Sequence, residues 1–323
     1  MHRSLLHVLA FTLASCDAGP DVDSEAPPAD VSQARPEGVE AISLLGEELR
    51  APDLPADVES RYEENLAAAR RAWQATPENA DSIIWLGRRT AYLGRYREAI
   101  RIYSEGIEEH PEDARLYRHR GHRYITVREF DRAIADLNRA ARLVDGTEDQ
   151  VEPDGLPNAR GVPTSTLHFN IWYHLGLAYY LAGDLESALT AWQACMGVSR
   201  HVDSRVATAY WLNNTMRRLG MNDRADELLT WVDEDLDVIE STAYLDVLLL
   251  HKGERTPQDL LGPSGQEATL ESTTAGYGVA VWHRVNGRAD EAVALMERVL
   301  TNRDQWAAFG YIASEADLAR GDL

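Results

Sequence analysis

A 34-residue period runs through the middle of this chain and limits the folds that the chain can adopt. Gly87 recurs as Gly121, and Ala99 recurs as Ala133, each 34 positions later. A period of this length is typical of stacked supersecondary units, because one unit cannot bury its own apolar face without neighbours. The 323 residues are therefore predicted to form an array of similar units rather than two unrelated globular lobes.

The residue pattern inside each unit predicts α-helices. Apolar residues recur at i, i+3, i+4 and i+7, which places them on one face of a helix of about a dozen residues. Gly94 and Gly183 stand where a turn would join two helices, and Pro111 would end the second helix of its pair. Small residues occupy the positions where helices are expected to cross closely: Gly87, Gly121, Gly176, Ala99, Ala133 and Ala188.

This pattern resembles the tetratricopeptide repeat (TPR) family, in which a large residue, Leu-Gly, a turn Gly, an Ala and a closing Pro recur in a fixed order. The first unit carries the pattern at Ile83, Leu86, Gly87, Gly94, Tyr96, Ala99, Tyr103, Gly106 and Pro111. The resemblance implies an all-α fold, a right-handed superhelix of antiparallel helix pairs. It also implies that the first helix of each pair lines a concave face.

The repeat region is predicted to span residues 58–323. Clear units are expected at about 80–113, 114–147 and 169–202, and weaker units at about 206–239, 240–270 and 273–306. Residues 148–168, rich in Pro and Gly, interrupt the register between the second and third units. A loop of that length inside an array is usually functional or disordered, and a tolerated surface loop remains the alternative interpretation.

The N-terminus has the order of a secretory signal, with one Arg, a short apolar run and then small residues, over residues 1–15. The sequence Leu13-Ala14-Ser15-Cys16 resembles the bacterial lipobox, whose Cys is acylated once the signal is removed. Two or three acyl chains anchor a protein firmly. We expect lipidation at Cys16 and a location in the bacterial cell envelope, on either membrane. An ordinary signal peptide with an incidental Cys is the alternative.

Residues 16–57 are predicted to be an acidic, Pro-rich tether. Such a composition buries too little apolar surface to offset the entropy lost on ordering, so an extended spacer is expected. Its one apolar patch, residues 41–45, is available for docking on the folded body.

Charge and cysteine content exclude several classes of function. The chain has 53 acidic and 32 basic residues, a net charge of −21, which disfavours nucleic acid or an anionic membrane surface as a partner. We therefore expect contact with the membrane only through the lipidated N-terminus. The two cysteines, Cys16 and Cys195, are too few for a disulfide scaffold or a cysteine-rich zinc site.

The sequence carries no motif typical of an active site, since G-x-S-x-G, a Walker glycine loop and H-E-x-x-H are all absent. His119 and His122 lie three residues apart on a predicted helix and would form half a metal site, but the neighbouring arginines repel a cation. Cys195 stands at a small-residue position and is expected to be a buried thiol. We predict no catalysis, no metal and no cofactor.

In TPR arrays the concave face is lined mainly by the second, fifth, ninth and twelfth positions of each first helix. The matching positions here are Arg88, Arg115, Arg118, His122, Asn170, Tyr173, Tyr180, Tyr210, Asn214, Arg217, Tyr277 and Arg284. Arginine binds carboxylates through paired hydrogen bonds, and Tyr and Asn add neutral donors. The resemblance implies a non-catalytic protein–protein interaction scaffold whose groove binds an acidic or carboxylate-ended peptide or protein segment.

Two other interpretations remain open. The inward arginines could be incidental, since Lys252 is the only lysine and arginine supplies nearly all of the positive charge. A TPR lipoprotein with a glycan- or metal-dependent enzymatic or ligand-binding role is the other alternative, with groove aromatics and the pair His119 and His122 as its site.

Overall fold

The computed structural model describes residues 36–261 and 269–321, and it is mostly helical, with fourteen helices. All of these residues belong to one structural unit, 35–323. The predicted signal peptide and Cys16 lie outside the described residues. No helix in the described ranges has both the length and the apolar character needed to cross a bilayer.

A leading helix, α1 (Ala56–Ala75), is followed by four helix pairs. The pairs are α2 (Ala80–Tyr92) with α3 (Tyr96–Glu109), α4 (Ala114–Thr126) with α5 (Phe130–Val144), α6 (Leu167–Ala182) with α7 (Leu185–Val198), and α8 (Val202–Arg218) with α9 (Asn222–Leu228). From α1 to α9, each helix packs on the helix that follows it. The predicted all-α solenoid of helix pairs is confirmed.

The C-terminal part is less regular. It contains α10 (Thr242–Lys252), the single-turn α11 (Pro257–Leu260), α12 (Leu270–Val285), α13 (Ala289–Leu300) and α14 (Phe309–Arg320). Helix α14 packs against α12 and α13, and it also reaches α6 of the third pair. The last helix therefore lies across the array, on the side where the first helices of the pairs meet.

Local chemistry sets the ends of the helices. Asn79 caps α2, since its side-chain oxygen accepts from the backbone N–H groups of Asp81 and Ser82 at 2.8 and 3.2 Å. Gly183 ends α6 with φ 89°, in the left-handed region that favours glycine.

Glycines mark the closest helix crossings, as predicted. A Cβ at Gly87 would lie 2.4 Å from Cε1 of Tyr103, and a Cβ at Gly121 would lie 2.8 Å from Cγ of Leu137. Real Cβ atoms do not approach other atoms this closely. The first and second helices of these pairs therefore pack at a distance that only glycine permits.

The acidic tether was predicted to reach residue 57, but the chain is already folded at residue 39. Strands β1 (Val39–Ile42) and β2 (Glu48–Arg50) form an antiparallel hairpin. Its inward side chains, Val39, Ala41 and Leu49, are buried, and the indole N–H of Trp306 donates to the carbonyl of Arg50 at 2.6 Å. Strand alternation thus gives this acidic segment one apolar face, which docks on the helices.

Candidate functional site

Seven of the twelve predicted groove residues are buried in the structure, and the other five are half-buried. The buried side chains are those of Arg118, Asn170, Tyr173, Tyr180, Tyr210, Asn214 and Tyr277. The inner face therefore differs from the open, solvent-lined wall expected from the sequence. Segments of this same chain cover it at two places.

Helix α14 covers the part of the inner face formed by α6 and α12. The hydroxyls of Tyr180 and Tyr277 lie 2.7 Å apart, and Tyr277 donates to Oδ2 of Asp317 at 2.9 Å. Arg218 and Arg320 lie 3.0 and 2.6 Å from Oδ1 of the same carboxylate. The Asp317 side chain is 0% exposed. Tyr277 consequently binds a carboxylate from its own chain, Tyr180 bonds to Tyr277, and neither hydroxyl is available to a peptide.

Tyr173 and Tyr210 belong to an aromatic core around Trp211. The indole N–H of Trp211 donates to the hydroxyl of Tyr173 at 2.8 Å, and the Trp211 ring lies parallel to Trp192 at 6.2 Å. The Tyr173 hydroxyl is also 3.2 Å from that of Tyr244. Burial raises the pKa of the Tyr173 and Tyr210 phenols well above their usual range, so both stay protonated.

The second covering segment is the insertion between α5 and α6. Val151, near its beginning, pairs with Thr166, just before α6, in an isolated β-bridge. The main chain of the insertion then lies on α2: Arg88 donates to the carbonyl of Pro153 at 2.7 Å, and Arg89 donates to that of Gly155 at 3.0 Å. The insertion thus crosses the inner face formed by α2, α4 and α6.

Glu152 of the insertion lies among three polar side chains that we call the Glu152 cradle, those of Arg118, His119 and Asn170. The carboxylate is 3.1 Å from Nε of Arg118 and accepts from Nδ2 of Asn170 at 3.0 Å. Its other oxygen is 3.5 Å from Nε2 of His119. The Glu152 side chain is only 9% exposed. An arginine and an asparagine of the inner face therefore lie beside a carboxylate, and the carboxylate belongs to this chain.

Hydrogen bonding identifies the tautomer of His119. Nη1 of Arg118 lies 2.9 Å from Nδ1 of His119, and a guanidinium can only donate, so Nδ1 is the acceptor. Burial lowers the pKa of His119 well below its usual range, with the Arg118 charge as a second cause. The ring is therefore neutral, and its one proton lies on Nε2, which faces Glu152.

Gly155 makes the closest approach between the insertion and the inner face. A Cβ at this position would lie 1.9 Å from Oη of Tyr92. The guanidinium groups of Arg88 and Arg89 also stack on the ring of Trp85, at 4.5 and 4.9 Å from its centroid. Only a glycine allows the insertion to lie this close to α2.

A small cavity of about 290 Å³ lies beside His122. Tyr244, Leu270 and Phe309 supply its apolar walls. The rings of His122 and His174 are 4.2 Å apart, and burial lowers the pKa of both imidazoles well below their usual range. The imidazoles of His122 and His174 are therefore neutral near pH 7.

Three more of the predicted groove residues pair with acids. Arg115 contacts Asp113 and Asp81 at 2.6 and 2.5 Å, and Arg217 contacts Asp226 at 2.5 Å. Arg284 lies 3.9 Å from Asp317. These arginines are structural partners of carboxylates in this conformation.

Two further kinds of chemistry, metal binding and reaction at a thiol, depend on the surroundings of the side chains that would perform them. Within residues 36–261 and 269–321, no cluster of three or more His, Cys, Asp or Glu side chains could hold a metal ion. Cys195 is 0% exposed, and burial raises the pKa of its thiol to about 12, which makes it a poor nucleophile.

The sequence did not point to Arg89 or Glu152 as parts of this site, and it indicated His119 only together with His122, as a metal or ligand pair. Arg89 and His119 stand outside the groove positions of the repeat pattern, and Glu152 lies in the insertion. The signal that the sequence offered was the length of the insertion, which indicates a functional loop but no particular residue.

Comparison with known proteins gives the following similarities. Residues 171–197 match the family model of the tetratricopeptide repeat. A 96-residue stretch is 34% identical to stress-induced-phosphoprotein 1 of Caenorhabditis elegans, and the match spans 30% of each protein.

Two solved structures are also similar. A tetratricopeptide repeat protein from Parabacteroides merdae has a TM-score of 0.46 and 15% identity, over 80% of this chain and 92% of that one. YrrB, described as a TPR protein with an unusual peptide-binding site, has a TM-score of 0.41 and 14% identity, over 79% of this chain and 98% of that one.

Proposed function

This chain is a tetratricopeptide-repeat protein, and we propose that it is a non-catalytic scaffold that binds a carboxylate-bearing segment of another protein. Arrays of this kind use their concave surface for binding. The proposed site is the inner face of α2, α4 and α6. The observation that carries the proposal is the Glu152 cradle, in which Arg118 and Asn170 contact one oxygen of a carboxylate.

The chemistry of the site suits an extended acidic segment. Arg118 supplies a positive charge beside the side-chain carboxylate, and Asn170 supplies a neutral hydrogen-bond donor. Arg88 and Arg89 donate to backbone carbonyls, which every peptide offers whatever its sequence. The site would therefore recognise one acidic side chain and bind the carbonyl groups of the neighbouring main chain.

The degree of burial favours this part of the inner face over the part under α14. Asp317 is fully buried in a helix and contacts Arg218, Tyr277 and Arg320, so replacing it would require α14 to leave the core. Glu152 lies in a loop whose next residues, Pro153 and Asp154, are exposed. Displacing Glu152 from the cradle would therefore cost much less free energy than displacing Asp317.

Selection from a random nonapeptide library on the immobilised full-length chain tests this function. We expect the selected peptides to be enriched in Asp and Glu, and to lose at least tenfold in affinity with Arg88→Ala. Arg101→Ala is the matched control, because the Arg101 side chain is 67% exposed on α3, away from the insertion. Selected peptides without acidic residues, or equal effects of the two substitutions, would count against the proposal.

We further propose that the scaffold is lipid-anchored in a bacterial cell envelope, on the basis of the lipobox-like sequence that ends at Cys16. Replacing Cys16 with Ser should move the protein from the membrane fraction to the soluble fraction. Cys195→Ser is the matched control and should leave the distribution unchanged. Equal membrane retention of the Cys16→Ser protein would contradict lipid anchoring.

A further inference from the structure

We propose that residues 151–155 of the insertion are an intramolecular occupant of the partner site, and that a partner segment binds by displacing them. The inference rests on the function proposed above and concerns regulation of that same site. Its ligand class is an extended peptide with one acidic side chain and, three residues after it, a glycine.

Residues 151–155 contact the inner face as a bound ligand would. Glu152 places its carboxylate between Arg118 and Asn170, at 3.1 and 3.0 Å. The carbonyls of Pro153 and Gly155 accept from two arginines of α2, at 2.7 and 3.0 Å. The contacts come from three different helices, and all of them involve groups that any acidic peptide carries.

Residues 151–155 are not held on the inner face by apolar side chains. Their one aliphatic side chain, Val151, is 59% exposed, and Leu156 beyond the segment is 48% exposed. The segment therefore contributes no apolar side chain to the core, and polar contacts alone keep it on the inner face. A competing peptide can supply the same polar contacts, so exchange leaves no cavity in the core.

The insertion is attached to the rest of the fold on both sides of residues 151–155. Leu167 donates its backbone N–H to the carbonyl of Gln150 at 2.8 Å, and farther along Arg160 pairs with Asp237 at 2.8 Å. A displaced segment would remain close to its site at a high effective concentration. Such an occupant lowers the apparent affinity for weak ligands and admits only partners that outcompete it.

The experiment uses the full-length chain and a fluorescein-labelled synthetic peptide with the sequence of residues 148–157. Binding is measured by fluorescence anisotropy. Two variants weaken the occupant by separate routes: Glu152→Gln removes its charge, and Gly155→Val forces the main chain away from Tyr92. Asp154→Asn is the matched control, since it removes one charge from an exposed position of the same segment.

We expect both occupant variants to bind the peptide at least tenfold more tightly than the unmodified chain, and Asp154→Asn to match the unmodified chain. A peptide with Gln in place of the acid at its fifth position should bind at least tenfold more weakly to either variant. Far-ultraviolet circular dichroism and a thermal melt establish that each variant is folded before binding is measured.

The outcomes separate the inference from the function on which it rests. Equally tight binding by the unmodified chain and both variants would support the acidic-peptide site. It would also overturn the inference that residues 151–155 occupy that site. Absence of binding to folded Glu152→Gln and folded Gly155→Val would overturn both. Tighter binding by the two variants without any preference for the acidic peptide would also overturn the inference.

Discussion

Arg128 and Glu315 form a buried ion pair that joins the second helix pair to the last helix. Nη2 of Arg128 donates to Oε2 of Glu315 at 2.7 Å, and the two side chains are 2% and 1% exposed. The same nitrogen of Arg128 also donates to the carbonyl of Trp306 at 2.9 Å, and the backbone N–H of Leu44 in the hairpin contacts the Glu315 carboxylate. One carboxylate therefore connects three parts of the chain that are distant in sequence.

Replacing Glu315 with Gln should lower the free energy of unfolding by about 3–5 kcal/mol, because it leaves the Arg128 charge buried without a counter-ion. Urea unfolding at pH 7 measures this loss. The exposed i,i+4 pair of Arg101 and Glu105 is the control, since each side chain is 67% exposed. Glu105→Gln should cost no more than about 0.5 kcal/mol. A loss below about 1 kcal/mol for Glu315→Gln would mean that the pair does not hold α14 in place.

Glycines at helix crossings and glycines at exposed positions should respond in opposite ways to alanine. A Cβ at Gly176 would lie 2.6 Å from Cδ2 of the buried Trp192, so Gly176→Ala should destabilise the protein by about 1–3 kcal/mol. A Cβ at Gly197, in α7, would meet nothing within 4 Å. Gly197→Ala should therefore stabilise the protein by about 0.5–1 kcal/mol. Thermal melts compare the two, and equal shifts would show that Trp192 moves freely.

The features that sequence predicts well are the local ones. The 34-residue period identified Gly87, Gly121 and Gly176 as close crossings, because each contact lies between the two helices of one pair. Gly183 was assigned to a turn because a left-handed φ after a helix is a local requirement. Residues of the first helices were also assigned to one common face, and Arg88 and Arg118 do both contact the insertion.

Occupation of that face could not be predicted from the sequence. Whether Tyr277 faces solvent depends on α14, whose Asp317 is 40 positions away, and Arg128 finds its partner 187 positions away. Such contacts depend on the curvature of the whole array, which accumulates over all the pairs and has no local signature. The docked hairpin was missed for a related reason, because its acidic composition outweighed a three-residue apolar alternation at Val39, Ala41 and Leu49.

Native Cys195 should resist alkylation. Its side chain is 0% exposed, and burial raises the pKa of the thiol to about 12, so little thiolate forms at pH 8. In a Cys16→Ser background, we expect iodoacetamide to label the folded protein at least a thousandfold more slowly than the protein in 6 M guanidinium. Labelling at comparable rates would show that α7 opens readily around this position.

Buried histidine should make stability depend on pH. Burial lowers the pKa of His174 well below its usual value of about 6.5, so the unfolded chain binds a proton below that pH and the folded chain does not. The free energy of unfolding should therefore fall as pH falls below about 6.5, by up to about 1.4 kcal/mol per pH unit for this group. His174→Gln removes the effect while keeping a donor for the Asn170 carbonyl, to which Nδ1 of His174 donates at 2.6 Å. Urea unfolding between pH 7.5 and 5.5 compares the two slopes, since other titrating groups contribute equally to both proteins. Parallel slopes would show that His174 becomes protonated inside the folded chain.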